Sequence, residues 1–182
     1  MPRLFTALEI PHDVADELEV MRGGIEGARW IDKASYHVTL RFVGDVEPMV
    51  AADLSRALGE LRGWAFEAAL TGIGSFGSRT PRSIWAGVRR NAALEELHAD
   101  QESACRRLGL APETRKFTPH VTLARLRNGR GASAEVQNYI AHHNLYESRP
   151  FPVEHFVLLS SRPSRGGGPY VAEEVYPLNG AM

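Results

Sequence analysis

The string His-Val-Thr-Leu occurs twice in this chain of 182 residues, at His37–Leu40 and again at His120–Leu123. β-Branched valine and threonine between apolar flanks favour extended backbone, and side chains alternate along a strand. In each copy, then, histidine and threonine share one face while valine and leucine share the other. The histidines stand 83 positions apart, close to half the chain. Solenoid periods run from about 20 to 50 residues, so the repeat marks two similar halves and not a stack of small units. The expected architecture is α+β: two similar lobes, each presenting one motif to a shared central groove. Residues 1–182 would make a single domain of two intertwined lobes, because no Pro- or Ser-rich linker divides them.

The flanking pattern agrees with interleaved strands and helices. Leu4–Ile10 reads as a strand and Asp13–Ile25 as a helix closed by Gly23-Gly24. Tyr36–Val43 carries the first motif, and Pro48–Leu61 is helical, with Val50, Leu54, Leu58 and Leu61 at helical spacing. Phe66–Ile73 and Ser83–Arg89 are expected to pair across a Gly/Ser/Thr-rich connection. Ala92–Leu108 is a third helix, His120–Leu126 the second motif strand, broken at Asn128–Gly131, and Ser133–His142 a fourth helix. Strands at Phe151–Ser160 and Tyr170–Tyr176 follow, joined through a turn at Arg165–Gly168.

Composition removes several classes of function. The formal net charge is −1, which gives no support for the sequence-independent nucleic-acid binding of a basic protein. Phosphate recognition must then be local. Of the 21 basic residues only Lys33 and Lys116 are lysine, and arginine's planar fork is the better bidentate phosphate ligand. The single cysteine, Cys105, excludes an internal disulfide and a cysteine-based zinc site, and its helical setting suits a small core residue. The first residues lack the apolar run of a signal peptide, and no stretch is apolar enough to span a membrane. The expectation is a cytoplasmic protein, monomeric and not membrane-associated.

The repeated motif offers two proton-transfer groups and two hydroxyl donors. Histidine can be neutral in one copy and protonated in the other near pH 7, which concerted general base and general acid catalysis needs. In a phosphodiester the attacking and leaving oxygens lie roughly in line across phosphorus, so base and acid belong on opposite sides. Thr39 and Thr122, two residues after His37 and His120, are placed to donate to non-bridging phosphate oxygens. One copy alone is simply a good amphipathic strand, but an exact repeat around histidine points to catalysis. No cofactor and no metal are expected. The helical His-Glu-x-x-His pattern is absent, and no carboxylate or cysteine stands at ligand spacing from His37 or His120. Gly-x-Ser-x-Gly is also absent, and neither Gly72-Ile73-Gly74 nor Gly166-Gly167-Gly168 lies between a strand and a helix as a phosphate loop would. His12, His98, His142, His143 and His155 do not repeat and read as surface or capping residues.

With its flanks, the repeat resembles the 2H phosphoesterase superfamily, in particular the RNA 2′,3′-cyclic phosphodiesterases of bacteria and archaea, historically called 2′-5′ RNA ligases. The matching segments are Leu4–Leu8, Trp30-Ile31, His37–Gly44, Ile84–Val88 and Phe117–Arg125, in order along nearly the whole chain. The resemblance implies a bilobal α+β fold, two pseudo-symmetric lobes of antiparallel sheet with flanking helices around a central groove, and metal-independent opening of a 2′,3′-cyclic phosphate at an RNA 3′ end to leave a 2′-phosphate. It further implies that His37 protonates the departing 3′ oxygen and His120 takes the proton from water, roles that the residues by themselves do not separate. Thr39 and Thr122 would hold the phosphate oxygens, and Arg125 would match a family arginine bringing positive charge to the groove. Strict alternation puts Arg125 on the face away from His120 unless the strand bulges, which leaves a surface salt bridge as the other reading. Phe42 and Tyr170 either stack on a base or pack. Alternation places Arg41 on the face of His37 and Thr39.

Other activities fit the same residues. Ligation through a 2′-5′ linkage uses the same phosphoryl chemistry with a 5′-hydroxyl in place of water. A small cyclic nucleotide is an alternative substrate, and a binding module that caps RNA ends without turnover is an alternative function.

Overall fold

The computed structural model describes residues 3–77, 79–127, 133–161 and 169–180. Along the chain these form β1 (Arg3–Glu9), α1 (His12–Val20), β2 (Ala28–Trp30), a 3-10 turn (Lys33–Ser35), β3 (His37–Asp45), α2 (Pro48–Gly59), β4 (Phe66–Ala68) and β5 (Leu70–Phe76). They continue with β6 (Ser83–Val88), α3 (Ala92–Arg107), β7 (His120–Leu126), α4 (Ser133–His143), β8 (Phe151–Val153), β9 (His155–Ser161) and β10 (Tyr170–Pro177). Local chemistry sets several of the ends. Pro48 opens α2, where its missing N–H costs no helical bond. The Asn91 side chain caps α3 by accepting from the Leu94 N–H at 3.1 Å.

Eight strands form one sheet in the order β10-β9-β1-β3-β7-β6-β5, with β2 added beside β7, and every pairing is antiparallel. β4 and β8 make a separate two-stranded sheet. This is the α+β class that the strand and helix patterns suggested, with the antiparallel sheet that the family resemblance implied. The two motif strands are neighbours, and β3 and β7 meet through one residue pair, Val38 with Val121. The order of strands repeats outward from that seam: β1 flanks β3 as β6 flanks β7.

The helices cover one face of the sheet. Val14 and Leu18 of α1, Leu54 and Leu58 of α2, Leu94 and Leu97 of α3, and Val136 of α4 share a buried cluster with Val38, Leu40, Val121 and Leu123. The motif valines and leucines thus anchor the seam to the core. The opposite face holds a smaller cluster, Phe5, Ala7, Val157 and Leu159, with Tyr170 packed against it. Cys105 is buried, as its helical setting suggested. No helix among the described residues is long and apolar enough to cross a membrane.

Several elements depart from the sequence reading. α1 ends at Val20 and not at Ile25, since Gly23 and Gly24 take φ values of 110° and 85°, outside helical space. The expected strands Phe66–Ile73 and Phe151–Ser160 each divide, at Ala69 and Glu154, into a short piece in the small sheet and a long piece in the main one. Periodicity cannot show this, because both pieces are apolar and extended. The three-residue β2 is too short to carry a period. The expected breaks at Asn128–Gly131 and Arg165–Gly168 lie outside the described residues.

Candidate active site

Antiparallel partners point their side chains to the same side, and Val38 and Val121 both point into the core. The residues on either side of them, His37, Thr39, His120 and Thr122, therefore emerge together on the face away from the helices, all half-buried. One continuous sheet underlies the site, with the two motifs side by side at its seam.

A backbone carbonyl two residues upstream fixes each imidazole. His37 Nδ1 donates to the Ser35 carbonyl at 2.8 Å, and His120 Nδ1 donates to the Thr118 carbonyl at 2.6 Å. A carbonyl only accepts, so Nδ1 carries the hydrogen in both rings and Nε2 is the reactive nitrogen. The Thr39 hydroxyl donates to His37 Nε2 at 3.0 Å.

Aromatic rings wall both histidines. Phe5 and Tyr170 lie 5.1 Å from the His37 ring, Tyr170 edge-on. Phe76 meets His120 edge-on at 4.8 Å, and Trp85 lies 5.9 Å away. Burial lowers the pKa of His37 from its ordinary value of 6.5, against the opposing pull of the Ser35 carbonyl, and the charges of His120 and Arg125 lower it further. Burial also lowers His120, opposed by the Thr118 carbonyl and assisted by Arg125. Both rings are thereby neutral by default, and a proton on one disfavours a proton on the other.

Arg125 reaches this face because β7 bulges. Thr122 pairs with Trp85 but Ala124 pairs with Ile84, so Leu123 is the extra residue. Leu123 and Ala124 are both buried and Arg125 is exposed on the histidine side. β3 has the same bulge at Leu40, between the pairs Ala7–Thr39 and Thr6–Arg41. It turns Phe42 to the site face, 48% exposed, at the position equivalent to Arg125. It also turns Arg41 inward, to 6% exposure, where Nε meets Glu102 at 2.5 Å. The alternation that set Arg41 beside His37 and Thr39 is corrected by this bulge. Tyr170 is committed to packing on Phe5 and His37, whereas Phe42 remains open.

Sequence reasoning missed Phe5, Phe76 and Trp85 as site walls. Phe5 and Trp85 lie in segments that matched the family, but which ring they face depends on strand order. The Ser35 and Thr118 carbonyls were invisible, because a backbone acceptor has no residue signature. Among the passed-over histidines, His98 stacks flat on Phe117 at 3.9 Å and His155 pairs with Glu9 at 2.9 Å. Among the described residues no group of three or more His, Cys, Asp or Glu side chains is arranged to hold a metal ion.

The geometry has close counterparts. Over 99 residues the chain is 44% identical to an RNA 2′,3′-cyclic phosphodiesterase of Geobacillus stearothermophilus, covering 53% of this chain and 32% of that protein. It is 36% identical over 109 residues to one of Aeropyrum pernix, covering 59% and 62%. These matches span less than two thirds of the relatives' own lengths. The fold resembles that of Escherichia coli LigT, solved in complex with 3′-AMP, with a TM-score of 0.78 at 26% identity over 98% of this chain and 99% of that one. The family model of the 2′-5′ RNA ligase superfamily matches residues 10–165, and the chain belongs to that superfamily.

Proposed function

We propose that this chain hydrolyses 2′,3′-cyclic phosphate ends of RNA to 2′-phosphate ends through two-histidine acid–base catalysis, without a metal. The observation that carries the reading is the pair of imidazoles on one sheet face, each with Nδ1 tied to a carbonyl and Nε2 as its reactive nitrogen. The names of the relatives, RNA 2′,3′-cyclic phosphodiesterase, agree with it, and so does a nucleotide bound by a LigT of the same fold.

In this mechanism water attacks phosphorus in line with the 3′ oxygen. His120 Nε2 takes the water proton, the P–O3′ bond breaks, and His37 Nε2 delivers its proton to O3′, leaving the phosphate on O2′. Thr39 and Thr122 donate to the non-bridging oxygens, Arg125 offsets the negative charge gathering there, and the exposed ring of Phe42 stacks on the terminal base. Tyr170 acts through His37, holding its ring. The assignment of His37 as acid and His120 as base follows the family resemblance. One domain of two lobes, each bringing one motif, is the unit that does this, acting as a monomer in the cytoplasm.

The test is hydrolysis of a short RNA with a 2′,3′-cyclic phosphate, in excess chelator, by wild type, His37→Ala and His120→Ala. Turnover to a 2′-phosphate, indifferent to chelator and reduced about 10²- to 10⁴-fold in each variant, is the expected result. Loss of turnover in chelator, a 3′-phosphate product, or full activity in either variant would overturn the proposal.

A further inference from the structure

Arg41 is the residue of the first motif strand that the reaction leaves unused, and it is an expensive one to keep. A buried guanidinium must replace its lost hydration with well-placed acceptors. It has them: Nε donates to Glu102 at 2.5 Å, one terminal nitrogen to the Phe42 carbonyl, and the other to the Ala111 carbonyl at 2.6 Å. The bulge equivalent in the second motif strand is Ala124, a small core residue. The buried charge thus belongs to one half only, and symmetry of the fold does not account for it.

Its contacts run toward the other motif. Ala111 lies in the segment between α3 and β7, which has no regular structure and ends at Thr118 and Pro119 before His120. Glu102, the ion-pair partner of Arg41, also accepts from the Glu113 N–H at 3.1 Å in that segment. One turn earlier on the same face of α3, His98 stacks on Phe117, the residue before Thr118. The end of the segment lies against a cavity of about 210 Å³ lined by Val88, Arg90, Leu94, Lys116, Phe117 and Thr118 among others. Leu110 and Phe117 of the segment pack against the core, and the Pro119 carbonyl at its end accepts from the Val88 N–H at 3.2 Å, so the three attachments hold its α3 side while β6 holds its end.

We propose that Arg41 is a positioning residue for the opposite motif: with Glu102 it fixes the 111–118 segment, so that the Thr118 carbonyl holds His120 Nδ1 and aims Nε2 at the phosphate. The inference rests on the proposed role of His120 for its catalytic consequence, but not for the contact itself. The first motif strand thereby supplies one catalytic histidine from its site face and braces the second from its core face.

The experiment is a histidine ring NMR titration of the folded protein, comparing wild type with Arg41→Met, Arg41→Lys and Glu102→Gln. No substrate is needed, so failure of the phosphodiesterase reading would leave the result interpretable. Removing the Arg41 charge acts by itself to raise nearby histidines, and His98, which that charge lowers, is expected to rise. Loosening the Thr118 carbonyl acts the other way, because that bond favours protonated His120. A fall at His120, no change at His37 and a smaller fall in Arg41→Lys and Glu102→Gln are expected. If the cyclic-phosphate assay gives turnover, kcat drops about tenfold to a hundredfold in Arg41→Met with KM little altered. An unchanged or raised His120 titration, or equal shifts at His37 and His120, would overturn the proposal. Glu102→Gln and Arg41→Lys keep it falsifiable should Arg41→Met not fold.

Discussion

At the scale of single residues, the two imidazoles are chemically alike and differ mainly in their neighbours. Acid–base catalysis needs one protonated and one neutral ring, yet burial and the charge of Arg125 push both pKa values below 6.5. In free enzyme the singly protonated pair is therefore most populated on the acid side of 6.5. The pH profile of kcat/KM should peak there, falling on the alkaline side as the acid loses its proton and on the acid side as the base gains one. The charge of Arg125 lowers both rings, so Arg125→Met should move both limbs of the profile to higher pH. It should also reduce the rate about 10²-fold through loss of charge at the phosphate. A profile that keeps its position in the variant would show that Arg125 does not act on the histidines. The position of Arg125 was the open question in the sequence, because a strand's alternation is known only until its first bulge.

At the scale of elements, the bulges at Leu40 and Leu123 decide which side chains share the face of the two histidines. Each shifts the pattern by one residue after its threonine, sending Phe42 and Arg125 to the site and Arg41 and Ala124 to the core. A glycine of β5, two strands away from β7, has a comparable effect. Gly74 sits opposite Trp85, and a Cβ there would collide with the indole ring. Gly74→Ala should push Trp85 toward His120, costing about 1–3 kcal/mol of stability as overpacking does, with loss of turnover beyond the loss of folded protein. Thermal unfolding and kcat measured together check this, and Gly74→Ala with Trp85→Phe should recover both. If the single variant is as stable and active as wild type, the indole is not confined by Gly74. Helix and strand types were largely legible at this scale, through Pro48 and the apolar spacing of α2 and α3. The divided strands β4/β5 and β8/β9 were not, since which sheet a strand joins depends on partners far away in sequence.

At the scale of the whole molecule, the half-buried histidines make the fold sensitive to acid. His37, His98, His120 and His143 all have pKa values lowered by burial. The unfolded chain therefore binds more protons than the folded one near pH 6.5, and stability rises with pH through that window. It is complete above the unfolded value and is lost as pH falls below it. Urea unfolding midpoints should decline from about pH 7 to about pH 5, and more gently in a His37→Ala/His120→Ala variant. An equal decline in both proteins would assign the acid sensitivity to other groups. The two motif strands pair at one position, Val38 with Val121, but the halves share a core, so this loss should appear as a single cooperative transition. Local sequence determined the α+β class, through its interleaved strand and helix patterns, and the shared face of histidine and threonine in each motif, because alternation and repetition are local properties that a sequence displays directly. The tertiary structure alone decided that the motifs lie side by side on one sheet, which aromatic rings wall them, that Arg125 joins them, and that Arg41 is buried. Those outcomes depend on strand order, on bulges and on backbone carbonyls, and each is fixed by pairing with distant chain and not by the residue that it moves.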